Sequence, residues 1–337
     1  MYLCYMRNYK KPFEFVRLLA KASKYYGIDI IYCHPSQVDT KDGKISGKIL
    51  LNNRWESITV PIPEYIDLNA YCYKYKDTMD YLKKRSTLSS PRRFGSKESV
   101  YKKLIDDGQF AKIVPPTLLI NSENDFCLLV EDYNKVILKP KKGHKGQGIY
   151  MINIVEDGYH VTQDCEEKIF NQAEMETFLQ KQIIPNSYLG QKYVESTTSN
   201  GDPFDCRIRL EKNGEGNWEV VINLVRIGSG NKVVSNVAQG GSVNKLIPFL
   251  KYNYPENWNE IKEQIDYIAE NLPEKIEQLF KKKTSFLGID LGIDKKGNVY
   301  LFEVNSAPGV EFGEGELANI KSDYYNYILK NKKLSKN

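Results

Sequence analysis

Near the C-terminus, two apolar runs carry acidic and amide side chains at regular intervals. The first is Phe286-Leu287-Gly288-Ile289-Asp290-Leu291-Gly292-Ile293-Asp294, and the second is Val299-Tyr300-Leu301-Phe302-Glu303-Val304-Asn305. The turn Lys295-Lys296-Gly297-Asn298 between them predicts an antiparallel hairpin with a four-residue loop, placing Asp294 opposite Val299 and Asp290 opposite Glu303. Asn305, two residues beyond Glu303, projects from the same face. Facing carboxylates in apolar surroundings repel, and a hard divalent cation relieves the conflict. Oxygen donors without His or Cys favour Mg²⁺ bridging phosphates over Zn²⁺. The competing reading turns Asp290 or Glu303 to solvent or pairs one with a lysine, because a one-residue slip reverses the faces.

A second cluster precedes it. The apolar strand Val136-Ile137-Leu138 ends at Lys139-Pro140, and Lys141 to Gly148 follow before another strand at Ile149 to Ile152. Gly143, Gly146 and Gly148 permit positive φ and close backbone approach, while the lysines and His144 suit phosphate oxygens. The spacing is neither that of a P-loop nor of a Rossmann turn, and a strand rather than a helix comes next. A hairpin lid over phosphates fits, as does an ordinary flexible Lys/Gly hairpin. Lys139 is either a phosphate ligand on a rigid element or a lysine snorkelling at a strand end.

The elements that would hold these groups follow from periodicity. Phe13 to Tyr26 has helical spacing and stops at Gly27, strand Ile28 to Tyr32 follows, and hairpin-like strands occupy Gly43 to Val60. This predicts a small N-terminal α/β domain over 1–90. A helix capped by Ser96 runs to Asp107. Two long helical stretches, Glu167 to Ile184 and Asn259 to Lys283 with an interruption at Pro273, are set among strands adjacent in sequence. That pattern predicts an α+β body with antiparallel sheets over 91–330, and a basic tail over 331–337.

Composition bounds the rest. The chain has 337 residues, of which 41% are hydrophobic and 27% charged, with no apolar run near the roughly 20 residues of a membrane span. The N-terminus lacks the apolar core of a secretory signal, and the six cysteines show no metal-ligand spacing, so a reduced, cytoplasmic protein is expected. A net charge of +5 is spread over Lys-rich runs that read as solvated faces or tails, so a nucleic-acid partner is not expected, and the missing apolar run argues against a membrane.

Taken in order, Lys139-Pro140 with its glycine loop, Gln191-Lys192-Tyr193-Val194-Glu195, Asp205-Cys206-Arg207, Asn236 with Gly240-Gly241, Gly288-Ile289-Asp290 and Glu303-Val304-Asn305 resemble the ATP-grasp superfamily. Trp55 with Val60 to Glu64, and Pro91 to Lys97, resemble its YheC/YheD-like, spore-coat-associated group. The resemblance implies an ATP-grasp fold, two α+β subdomains gripping ATP, with a lid over about 115–195 and a C-terminal subdomain over about 196–330. It implies that Lys97 and Lys139 contact ATP phosphates, that the backbone of Lys192, Tyr193 and Val194 holds adenine, and that Glu195 lies near the ribose. Arg207 and Arg226 would steady the transferred phosphoryl group and a bound carboxylate, and Asn236 would belong to the acceptor site. Asp290, Glu303 and Asn305 match the family's Mg²⁺ ligands, for one or two ions. The implied activity is ligation of a carboxylate to an amine or other nucleophile through an acyl phosphate, with a peptide among the candidate acceptors. The alternatives are a nucleotide-binding spore-coat or scaffold protein without ligase activity, and a phosphotransferase on the same fold.

Overall fold

The computed structural model describes residues 1–89, 94–141, 147–164, 166–228 and 240–334. Strand β1 (Tyr2–Met6) feeds helix α1 (Glu14–Lys24), which returns to β2 (Asp29–Cys33) parallel to β1. The helix buries Phe15, Val16, Leu19 and Ala20 on one stripe, and Gly27 at φ 67° takes the positive φ that ends the turn. Strands β3 (Val38–Asp39), β4 (Lys44–Leu51) and β5 (Arg54–Pro61) add antiparallel to one side. Strand β6 (Tyr65–Leu68), helix α2 (Lys76–Lys83) and β7 (Thr87–Leu88) extend the other side in parallel. The result is a mixed sheet, as the N-terminal α/β reading anticipates.

Helix α3 (Lys97–Asp107) begins at Ser96, whose Oγ accepts from the Ser99 amide at 3.2 Å, the cap expected from sequence. Next come β8 (Thr117–Ile120), α4 (Glu123–Asp132), β9 (Lys135–Pro140), β10 (Tyr150–Val155), β11 (Gly158–Gln163), β12 (Glu166–Phe170), α5 (Gln172–Phe178) and β13 (Tyr188–Lys192). Their strands form an antiparallel sheet in the order β12-β11-β10-β9-β13-β8. The third sheet contains β14 (Phe204–Lys212), β15 (Trp218–Ile227), β16 (Ser242–Lys245), β17 (Phe286–Ile293) and β18 (Val299–Asn305), ordered β16-β15-β14-β17-β18. Helices α6 (Leu246–Asn253) and α7 (Trp258–Phe280) cover one face of it, and α8 (Glu314–Leu334) lies on the other side, against α1.

Several expectations need correction. The helix expected from Glu167 is instead edge strand β12, paired with β11. The helix begins only where Asn171 accepts from the Glu174 amide and Glu174 reaches back to the Asn171 amide. Helix α7 continues through Pro273 without interruption, because Ile268, Ala269, Leu272 and Ile276 are buried on both sides of it and hold the turns in place. The C-terminal helix α8 reaches Leu334, into the first residues of the basic tail expected over 331–337. Its Leu317, Ala318, Tyr325 and Leu329 share a core with α1, β1 and the Ile222 and Leu224 side chains of β15.

Candidate functional site

Strand β14 explains how the site is placed. Phe204, Cys206, Ile208 and Leu210 turn into the core under α6 and α7, so Asp205, Arg207, Arg209 and Glu211 share the opposite face. Arg207 lies opposite Asp290 on β17, and Asp290 lies opposite Glu303 on β18, which aligns three charged side chains across three strands.

The Asp290–Glu303 pairing arises differently from the expected four-residue loop. Ile293, not Asp294, faces Val299, and a bulge at Phe302 then shifts the register by one and restores the Asp290–Glu303 pair. A Cβ at Gly292 would meet the Phe302 ring at 2.1 Å, so this glycine is what admits the bulged side chain. The loop is tightened by Asp294, whose Oδ1 accepts from the Lys296 and Asn298 amides, each at 2.9 Å.

Electrostatically, the facing carboxylates are each given a cation. Arg207 Nη2 donates to Asp290 Oδ2 at 2.9 Å, and Arg226 Nη2 lies 3.4 Å from the same oxygen. Arg226 also grips Asp205 with two prongs, its Nε donating to Oδ1 at 2.7 Å. Lys97 Nζ stands 3.7 Å from Glu303, the lysine pairing weighed from sequence. Burial nevertheless pushes the Glu303 carboxyl above its ordinary range, Lys97 opposes this, and Asp290 adds to it. Asn305 Oδ1 is turned to its own loop, accepting from the Ala307 amide at 3.0 Å.

Lys139 is buried and donates to Gln191 Oε1 at 2.8 Å and to Tyr101 Oη at 2.9 Å. Burial lowers its ammonium to about 7, with Glu303 working in the other direction. Tyr101 in turn donates to the Phe302 carbonyl at 2.6 Å, taking up the group at the bulge. Helix α3 therefore clasps the lid strand β9 to the carboxylate strand β18, and Lys141 to Glu98 at 2.6 Å repeats the link. Removing only the hydroxyl in Tyr101→Phe strands a part-buried carbonyl and deprives Lys139 of an acceptor. The expected loss is about 1–3 kcal/mol in urea unfolding, together with severalfold weaker nucleotide binding. Parent-like values for both would show that the clasp is idle.

The segment Lys192 to Glu195 leaves β13 and crosses toward β14. The Lys192 and Tyr193 amides donate to the carbonyls of Pro116 at 3.0 Å and Lys135 at 3.1 Å; Val194 is buried and Glu195 exposed. The polar loop before Asp205 is anchored to the carboxylate hairpin: Lys295 Nζ donates to the Thr197 and Thr198 carbonyls, each at 3.2 Å. Gly148 takes φ 70° beside Tyr188 and Pro140, where a Cβ would meet the Tyr188 hydroxyl at 3.0 Å. Gly143, His144, Gly146 and Asn236 lie outside the described residues.

Three cations, Lys97, Arg207 and Arg226, thus meet three carboxylates, Asp205, Asp290 and Glu303, at one end of the third sheet, and Lys139 reaches the same place from β9 through Tyr101. Tyr101 and Asp205 did not enter the sequence-based site, although each left a signal. Tyr101 stands one helical turn after Lys97, and Asp205 alternates with Arg207 on a strand. Among the described residues, no group of three His, Cys, Asp or Glu side chains makes a self-sufficient metal site. The hard oxygens of Asp290 and Glu303, with Asn305 two residues on, are donors of the type that suits a magnesium ion.

The second sheet is tied through Lys139 and Tyr101 to the carboxylate-bearing third sheet beside this charged row, in an ATP-grasp fold. The fold is shared with D-cycloserine synthetase DcsG (TM-score 0.58, 11% identity, covering 96% of this chain and 99% of that one). It is also shared with the ATP-grasp ligase PsnB complexed with precursor peptide PsnA2 and AMPPNP (TM-score 0.53, 11% identity, 97% and 98% covered). A sequence profile of the YheC/D-like ATP-grasp family matches residues 86–333, and the chain belongs to that family. Two relatives from Bacillus subtilis (strain 168) are the endospore coat-associated proteins YheD and YheC. YheD is 28% identical over 81% of this chain and YheC 24% identical over 86%. The chain spans 63% of the length of YheD and 84% of YheC. No described helix is long and apolar enough to cross a membrane.

Proposed function

We propose that the chain is a Mg·ATP-dependent ligase that activates a carboxylate as an acyl phosphate and transfers the acyl group to an amine or similar nucleophile. The observation that carries this reading is the cross-strand row Arg207–Asp290–Glu303, backed by Arg226–Asp205 and facing the buried Lys139. A carboxylate oxygen attacks the γ-phosphorus and ADP departs; the nucleophile then attacks the acyl carbon and phosphate leaves. Lys97 and Lys139 bind phosphate oxygens, and Arg207 and Arg226 hold the planar forks on which charge moves during transfer. Asp290, Glu303 and Asn305 would hold magnesium, which supplies charge neutralisation between the phosphates. The crossover segment from Lys192 to Glu195 would seat the nucleoside, and the glycine hairpin that includes Gly143, His144, Gly146 and Gly148 would exclude water from a hydrolysable intermediate. Asn236, with Gly240 and Gly241, would border the acceptor.

The experiment is purified protein with Mg·ATP and pools of amino acids and peptides, reading ADP, phosphate and new masses. Peptides come first, because similar folds are known with precursor peptides bound. Release of ADP and phosphate with an amide product supports ligation. A phosphorylated acceptor without free phosphate would make the protein a phosphotransferase, and no Mg²⁺-dependent nucleotide binding at millimolar concentration would end the reading.

A titration signature accompanies binding. With its ammonium lowered to about 7, Lys139 is mostly neutral at about pH 8 in the free protein, and phosphate oxygens beside it favour the charged form. Nucleotide binding should therefore take up close to one proton at about pH 8 and almost none below about pH 6. Calorimetry of a non-hydrolysable analogue in buffers of different ionisation enthalpy counts the protons. Uptake that is absent at about pH 8, or retained in Lys139→Met, contradicts the assignment.

A further inference from the structure

Beyond the site, the same face of β14 continues into a buried chain of alternating charges. Arg7 Nη2 bonds Asp67 Oδ1 at 2.9 Å, Lys321 Nζ bridges Asp67 Oδ2 and Glu211 Oε2 at 3.1 Å each, and Arg209 Nε donates to Glu211 Oε1 at 2.9 Å. All five side chains are shielded from solvent, and they join the residue after β1 to β6, α8 and β14. A chain of buried ions is a poor source of stability, since apolar residues of equal volume commonly serve as well. Its terminal member shows another use. The remaining nitrogen of Arg209, Nη1, leaves the chain and donates to the carbonyls of Pro308 at 2.7 Å and Gly309 at 2.8 Å.

Those carbonyls belong to the loop that leaves β18 directly after Asn305. The loop is pinned from a second side, for a Cβ at Gly288, the cross-strand partner of Asn305, would meet the Pro308 side chain at 2.9 Å. The loop decides where the Asn305 amide points, because Asn305 Oδ1 is held by the Ala307 amide within it. We propose that Arg209 is a positioning residue, which fixes the 306–309 loop and with it Asn305 and the end of β18 relative to the N-terminal sheet. The consequence for magnesium rests on the ligase reading; the consequence for the loop does not.

Arg209→Lys keeps a cation for Glu211 but cannot reach Glu211 and both carbonyls. In ligand-free protein, hydrogen exchange over 304–311 should quicken at least about tenfold while β1, β6 and α8 exchange as in the parent. The Mg²⁺ concentration for half-maximal nucleotide binding should rise about tenfold. If Arg209→Lys does not fold, the double variant Arg209→Met with Glu211→Met removes the pair at similar volume. Lys321 then keeps Asp67 as its anion, so this variant melts below the parent, but measured where it is folded it should still loosen 304–311. Parent-like exchange over 304–311 overturns the proposal. So does equal loosening of β1, β6 and α8, which would make Arg209 an internal strut only. A parent that binds no Mg·nucleotide removes the ligase reading, while the exchange data on free protein still decide the role of Arg209.

Discussion

Asp67→Asn is expected to destabilise the protein by about 3–5 kcal/mol, a large share of the roughly 5–15 kcal/mol that ordinarily separates folded from unfolded chains. Asp67 is fully buried and accepts from Arg7, from Lys321 and, at 2.6 Å, from the Tyr325 hydroxyl. Asparagine fills the same volume but leaves Arg7 and Lys321 in a dry interior with only Glu211 as anion, and Glu211 already serves Arg209. The pH dependence has a definite sign. Burial alone would raise the Asp67 carboxyl, but Lys321, Arg7 and Tyr325 outweigh it and hold the carboxyl well below the usual range. A depressed carboxyl contributes stability in full above its unfolded value near 3.9, and loses it as pH falls through the folded value. Urea unfolding at about pH 7 should therefore show the full gap between parent and variant, and the gap should shrink progressively below about pH 4. A variant within about 1 kcal/mol of the parent at neutral pH, or a gap that ignores acid, would mean that the network is slack.

The second large effect belongs to Glu303→Gln. Glu303 is held against its own ionisation by burial and by Asp290, with the 3.7 Å contact to Lys97 a partial offset. Removing its charge at constant volume should leave the ligand-free melting temperature unchanged or raise it. The same substitution takes away a proposed magnesium ligand, so Mg²⁺-dependent turnover should fall at least about a hundredfold, with most of the thermal stabilisation by Mg·ATP. Four melts, parent and variant with and without Mg·ATP, separate the possibilities. A variant weakened without ligand, yet stabilised by Mg·ATP as strongly as the parent, would make Glu303 the structural partner of Lys97 and nothing more.

Much of this protein was determined locally. The β14 alternation, the caps at Ser96 and the strand pair carrying Asp290 and Glu303 all follow from periods of two or 3.6 and from short-range hydrogen bonds, which neighbouring residues settle among themselves. The motif order sufficed for the ATP-grasp fold and the YheC/D-like family. The hairpin shows where local reasoning stops: the loop is one residue longer than expected, and only the bulge at Phe302, admitted by Gly292 and bonded by Tyr101 from a distant helix, returns Asp290 to Glu303. The strand Glu166–Phe170 reads as helix because its charges suit either period, and pairing with β11 decided it. The charge chain through Lys321 was decided by tertiary structure alone. Nothing near Lys321 in sequence announces that its partners are Asp67 and Glu211, and an ion enters a dry interior only where the fold brings its counter-ions to it.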